Sequence, residues 1–274
     1  MTFDLDSYKA RSSRLRLDDI DFGSFSIAPL RLGALRCLRY MHDVEYHTAC
    51  YLRDILVTPA HVDPEVTAFL SVWAYEELFH GEALARVLGA HGEVHGAPRV
   101  AELRADLGWR DKARPLVMAA GGWWAGSDLV ALQMAWGALN ESMTQTGYYL
   151  LARRAGHPVL SELLARIQRQ EAMHLAFYMS QAGSRLAASP RARRLARHAL
   201  ARLWRPVGSG VMPAGETTFL LTYLMGDAEG RSRAARIDRQ VDTLPGLAGL
   251  GLIGRSLSRL SPTRDDASHD QLAA

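Results

Sequence analysis

Apolar residues recur at helical spacing along four long stretches of the chain, and no strand-like alternation of comparable length appears. From Leu30 to Val57 the pattern is carried by Leu35, Leu38, Met41, Val44, Leu52 and Leu56. It ends before Thr58-Pro59, since a residue preceding proline leaves the helical region. Asp63-Pro64-Glu65 opens a second helix with an acid at the N-cap, proline at the first helical position and an acid in the first turn; that pattern runs to Gly89. A third helix is predicted from a Ser127 or Asp128 cap to Ala155, closing on Gly156 in the left-handed conformation. His157-Pro158 restarts the chain at once, and a fourth helix runs from Pro158 to about Ala188, where Ser189-Pro190 stops it.

Helices of this length reach about 40 Å. The long connection lies between the second and third, across roughly 90 to 127. Two hairpins joined by one crossover is the topology of a ferritin-like four-helix bundle, so the expected fold is all-α with the bundle spanning 30–190. Residues 1–29 form an N-terminal extension. Residues 191–258 read as a C-terminal helical extension, opening on an Arg-rich amphipathic stretch (Arg191, Arg193, Arg194, Arg197, Arg202, Arg205), with shorter helices near 215–225 and 230–242. The polar end, 259–274, is expected to be a mobile tail. Leu116 to Leu139 is apolar apart from Ser127, Asp128 and Gln133, long enough on paper to cross a bilayer. Gly121, Gly122 and Ser127-Asp128 interrupt it, so it reads as a loop leading into a buried helix, and no transmembrane segment is expected.

At 274 residues and 48% apolar content the chain has ample material for a core. The net charge of +3 is small and almost all its basic residues are arginines, which gives no reason to expect a nucleic-acid partner. Cys37 and Cys50 lie 13 apart on one predicted helix, well over ~15 Å along its axis, so they cannot bridge. A reduced, cytoplasmic setting fits. Met1 to Lys9 lacks the basic start and apolar stretch of a signal peptide.

Charged residues at the helix centres change the picture most. Glu45, Glu77, Glu141 and Glu171 fall near the midpoints of the four helices, which sit at one level in an antiparallel bundle. Glu77 is followed three residues later by His80, and Glu171 three later by His174, a spacing that puts acid and imidazole on one helix face. One Glu from each of two helices plus Glu-x-x-His from each of the others is the ligand set of di-iron and di-manganese carboxylate bundles. Four buried carboxylates without cations would cost several kcal/mol each. Mixed carboxylate and imidazole ligation favours two irons, and the same ligands also suit manganese. Glu76, four residues before His80, breaks the three-residue spacing and is assigned a supporting or surface role. His42 and His47 point away from Glu45 and read as ordinary helix histidines; Trp73 and Tyr148 read as core packing.

The stretch Trp73-Ala-Tyr-Glu76-Glu77-Leu-Phe-His80-Gly81-Glu82-Ala-Leu84 resembles the W-T-A-E-E-N-R-H-G-D-x-L segment of soluble acyl-acyl-carrier-protein desaturases. Glu141-Ser-Met-Thr144 is similar to that family's E-R-A-T. Gln170-Glu171-Ala-Met-His174 with Tyr178 is similar to D-E-x-R-H-E-x-x-Y, and Val211-Met212-Pro213-Ala214 to a V-M-P-A segment, so the resemblance spans roughly 40 to 215. Gln170 stands where the family has aspartate, Met173 where it has arginine, and Glu45-Tyr-His-Thr departs from E-x-x-P-T-Y.

The resemblance implies an O2-dependent di-iron oxidase that removes hydrogen from an unactivated C–H bond of an acyl chain on a carrier protein, by desaturation or hydroxylation. It further implies a ferredoxin-like electron donor, a homodimer, and an oxygen-activating role for Thr144. The Arg191–Arg205 stretch would dock an acidic carrier or simply be a solvated helix. Iron oxidation or peroxide removal, as in ferritins and rubrerythrins, is the main rival, although no Cys-x-x-Cys module accompanies the bundle. Other di-iron hydroxylases and N-oxygenases, and a purely structural bundle, complete the alternatives.

Overall fold

The computed structural model describes residues 3–260. They are helical throughout, 78% of the chain lying in helices, with no strand among the described residues. In chain order the helices are α1 (Leu5–Arg11), α2 (Ser24–Ile27), α3 (Leu32–Leu56), α4 (Pro64–Ala90), α5 (Gly96–Ala105), α6 (Trp109–Ala125), α7 (Ser127–Ala155), α8 (Pro158–Ala188), α9 (Pro190–Leu203), α10 (Ala214–Met225), α11 (Ala228–Asp242) and α12 (Leu252–Ser258), with a short 3-10 turn at Pro59–Val62.

The long helices begin and end where local chemistry requires. The Asp63 carboxylate accepts from the amides of Glu65 and Val66, both at 3.1 Å, and Pro64 supplies the preset first turn of α4. Gly156, at φ 60°, closes α7 in the left-handed region that a side chain would strain, and Pro158 opens α8 two residues later. Ser189 caps α9 by accepting from Ala192 N at 3.0 Å.

The crossover differs from expectation. It is not a loop: α5 and α6 fill most of it, and Gly121-Gly122 lie inside α6. A Cβ on Gly122 would stand 2.7 Å from Pro59 Cδ, so this glycine lets α6 approach the 3-10 turn closely. The break comes at Gly126, at φ 58°, and neither Ser127 nor Asp128 caps α7; Asp128 instead accepts from Ser189 Oγ at 2.7 Å.

The hairpin of α3 with α4 packs on the hairpin of α7 with α8, with α3 touching α7 and α4 touching α8. Between them lies a core that includes Leu38, Leu70, Leu84, Leu88, Met134, Leu139, Leu163 and Ile167, all inaccessible to solvent. Tyr8 from the N-terminal extension and Leu221, Ile237 and Ile253 from the C-terminal helices join the same apolar cluster. α9 runs along α7 and α8, while α10 and α11 close over α7. Cys37 is buried and Cys50 half-buried, and both are free thiols. The mobile tail expected from 259 falls outside the described residues beyond Leu260. No helix among the described residues is long and apolar enough to cross a membrane.

Candidate metal centre

Each long helix of the two hairpins delivers its central acid to one place. α3 supplies Glu45, α4 Glu77 and His80, α7 Glu141, and α8 Glu171 and His174, every one of them buried. Their ligand atoms fall into two groups, each within 4.8 Å: Glu45, Glu77, His80 and Glu171 in one, Glu77, Glu141, Glu171 and His174 in the other. Glu77 and Glu171 belong to both.

The carboxylate oxygens divide between the groups. Glu171 turns Oε1 to His80 Nδ1 at 3.3 Å and Oε2 to His174 Nδ1 at 3.5 Å. Glu77 turns Oε2 to His80 Nδ1 at 3.9 Å and Oε1 to His174 Nδ1 at 3.2 Å. Glu45 Oε2 stands 4.0 Å from His80 Nδ1, and Glu141 Oε2 4.0 Å from His174 Nδ1. Two acids thus span the two groups while one acid and one imidazole belong to each alone.

The outer faces of the same side chains are tied down. His80 Nε2 bonds Gln170 Oε1 at 2.9 Å, and His174 Nε2 bonds Glu76 Oε2 at 2.8 Å. Tyr8 and Ser12 donate to Glu76 at 2.7 and 2.8 Å, and the Gln170 amide joins them at 3.1 Å while also donating to Ser13 O. Trp73 Nε1 donates to Glu141 at 3.0 Å, and Tyr148 donates to Glu45. With each outward Nε2 engaged, the inward Nδ1 is left to a ligand, the orientation usual for a metal-binding imidazole.

Those inward atoms have no hydrogen-bond partner. His80 Nδ1, His174 Nδ1 and both oxygens of Glu171 are fully buried and unsatisfied. A buried polar atom left unmatched costs about 1–3 kcal/mol, more when charged. A pair of cations would satisfy all of them at once, so the donor set fits two metal ions.

The proton equilibria reflect the same crowding. Burial, then the charge of Glu77, pushes the Glu45 carboxyl well above its usual range; burial and then Glu171 do so for Glu141. Burial alone would raise Glu171, but the imidazoles of His174 and His80, 3.5 and 3.3 Å from its oxygens, outweigh it and hold this carboxyl low. Burial would likewise lower the His174 imidazole, and its contacts with Glu171, Glu76 and Glu77 overcome this and raise it strongly. Without cations, protons hold the cluster together.

All six ligand residues expected from the sequence are therefore brought together, Glu45 included. Thr144 sits half-buried one turn beyond Glu141 and lines an apolar cleft with Glu45. Glu76 takes the supporting role expected of it, held beneath His174. Trp73 and Tyr148 do more than fill the core, since each bonds a carboxylate of the cluster. His42 bonds Asp43 and the Gly96 amide, and His47 lies buried 3.7 Å from Asp111, where burial lowers its pKa to about 4; neither reaches the cluster. Tyr8 and Ser12 were not anticipated: their partner is more than sixty residues away in sequence, and no periodicity links them to it. The chain matches no protein-family model, no curated protein and no solved structure.

Proposed function

We propose that the chain is an O2-dependent di-iron oxidase on a ferritin-like bundle, acting on an unactivated C–H bond of an acyl-type substrate. The observation that carries the reading is the sharing of Glu77 and Glu171 between two ligand groups, each completed by its own acid and its own imidazole. Glu45, Glu77, His80 and Glu171 would hold one iron and Glu77, Glu141, Glu171 and His174 the other. Bound there, the irons would supply reduction of dioxygen to water, with two electrons from the substrate C–H bonds and two from a ferredoxin-like donor.

The chain's own side chains prepare that chemistry. Tyr148 and Trp73 fix the carboxylates that face one metal each, and Gln170 and Glu76 fix the two imidazoles. The cleft that reaches Glu45 and Thr144 is narrow, with a cavity of about 40 Å³, and is walled by Met41, Val44, Met143, Leu220, Leu221 and Leu224. Its apolar lining suits an alkyl group better than the iron traffic of a ferroxidase, and an acyl chain would enter by parting the side chains of α10 from those of α3 and α7. Thr144 lines that cleft one turn beyond Glu141, and the resemblance gives its hydroxyl the role of holding a proton there.

The resemblance to acyl-carrier-protein desaturases extends the reading to a carrier-bound acyl substrate and a homodimer, and the two free cysteines fit a cytoplasmic setting. Iron-loaded protein supplied with a ferredoxin system, O2 and acyl-carrier-protein thioesters should yield a product lighter by two hydrogens or heavier by one oxygen. Iron that is oxidised with unaltered thioester would instead favour the ferroxidase reading.

A further inference from the structure

α6 carries an apolar face that stays exposed among the described residues. Steps of 100° per residue place Trp109, Leu116, Val117, Ala120, Trp123 and Trp124 within a sector of about 120°, and all are exposed, Trp123 at 91%. On the same wheel Arg110 and Lys112 flank this sector on either side. Asp111, the helix's one acid, is turned inward towards His47 and Arg53. The acids just upstream, Glu102 and Asp106, line a separate polar cleft with Arg36 and Arg99.

A second feature adjoins this face. α9 carries five arginines and no acid, and its Arg191 lies 5.3 Å from the centre of the Trp124 ring and donates to Trp124 O at 2.9 Å. Arg191 also approaches Asp128 at 3.5 Å. Among the described residues the other four form no ion pair; Arg193 and Arg197 donate to backbone carbonyls, and Arg194 and Arg202 are exposed.

We infer that α6 and α9 together form a docking surface for an anionic lipid bilayer, with the tryptophans of α6 seated among the headgroups and the arginines of α9 against their phosphates. Tryptophan prefers the membrane interface, and an amphipathic helix flanked by cations lies in its plane. An acidic protein would satisfy the arginines but leave four or more large apolar side chains against a polar surface. A second copy would cover the apolar face while bringing two acid-free arginine helices together. Anionic lipid meets both demands, and the attachment is peripheral because no described helix can cross a membrane.

Sedimentation of the full chain with phosphatidylcholine vesicles, with and without phosphatidylglycerol, tests this. The protein should pellet with the anionic vesicles, less so as salt rises. W123S/W124S and R194E/R202E should each reduce the bound fraction about tenfold or more. Both variants alter exposed side chains, so an unchanged helical melting transition confirms that they are folded. Wild-type protein that stays in solution with anionic vesicles would overturn the proposal. So would variants that pellet like the wild type, or light scattering in which W123S/W124S only converts a dimer to monomers.

Discussion

At the scale of single residues, the cluster makes a distinction that a list of ligands does not. Glu77 and Glu171 face both histidines, whereas Glu45 and Glu141 face one each. Glu45→Gln or Glu141→Gln should therefore lower bound metal by about one ion per chain, and Glu171→Gln by about two, counted by plasma emission after equal loading. Equal losses from all three would show that the sharing has no energetic meaning. The two imidazoles also differ: His174 is held by a carboxylate and His80 by an amide. Glu76→Gln removes that difference and, after the contact with Glu171, the next strongest contact that raises the His174 imidazole. Metal affinity should fall about 10- to 100-fold with the fold intact, as measured by competition with a chelator. Loading must also displace the protons that Glu45, Glu141 and His174 favour in the empty cluster. Metal affinity should consequently rise with pH, and titration calorimetry in two buffers should show proton release.

At the scale of elements, α7 and α8 approach so closely that Gly137 leaves no room for a Cβ: one there would stand 2.4 Å from the Tyr178 ring. Alanine normally improves a helix by about 1 kcal/mol over glycine. Here overpacking against a buried tyrosine should dominate, so Gly137→Ala should destabilise by about 1–3 kcal/mol, read from the denaturant midpoint. A gain in stability would mean that the helices separate easily. Helix limits were legible in the sequence because proline, aspartate and glycine punctuate them: α7 and α8 end at the residues expected, and α4 starts on its Asp63 cap. The cluster was legible because an i, i+3 pair keeps its meaning whatever the helix packs against. The crossover was not. Gly121-Gly122 carries the signature of a break, and only the proximity of Pro59 shows that Gly122 serves close packing inside α6. Nor was the support beneath Glu76, since Tyr8 and Ser12 reach it from an extension whose local pattern says nothing of its destination.

At the scale of the whole molecule, extensions and bundle act as one body around the cluster. The N-terminal segment clamps the outer hydrogen bonds of the histidines, and α10 closes the apolar cleft that reaches Glu45. The bundle spends stability on burying four carboxylates and two imidazoles, and two cations would return it; at a metal concentration of 100 Kd each site adds about 2.7 kcal/mol. All of this turns on whether the cluster holds two irons. The most direct measurement is native mass spectrometry of metal-free protein titrated with ferrous iron under anaerobic conditions. The expected result is a species with two irons per chain that Glu171→Gln fails to form. A wild-type chain that takes up no iron, or stops at one, would contradict the account.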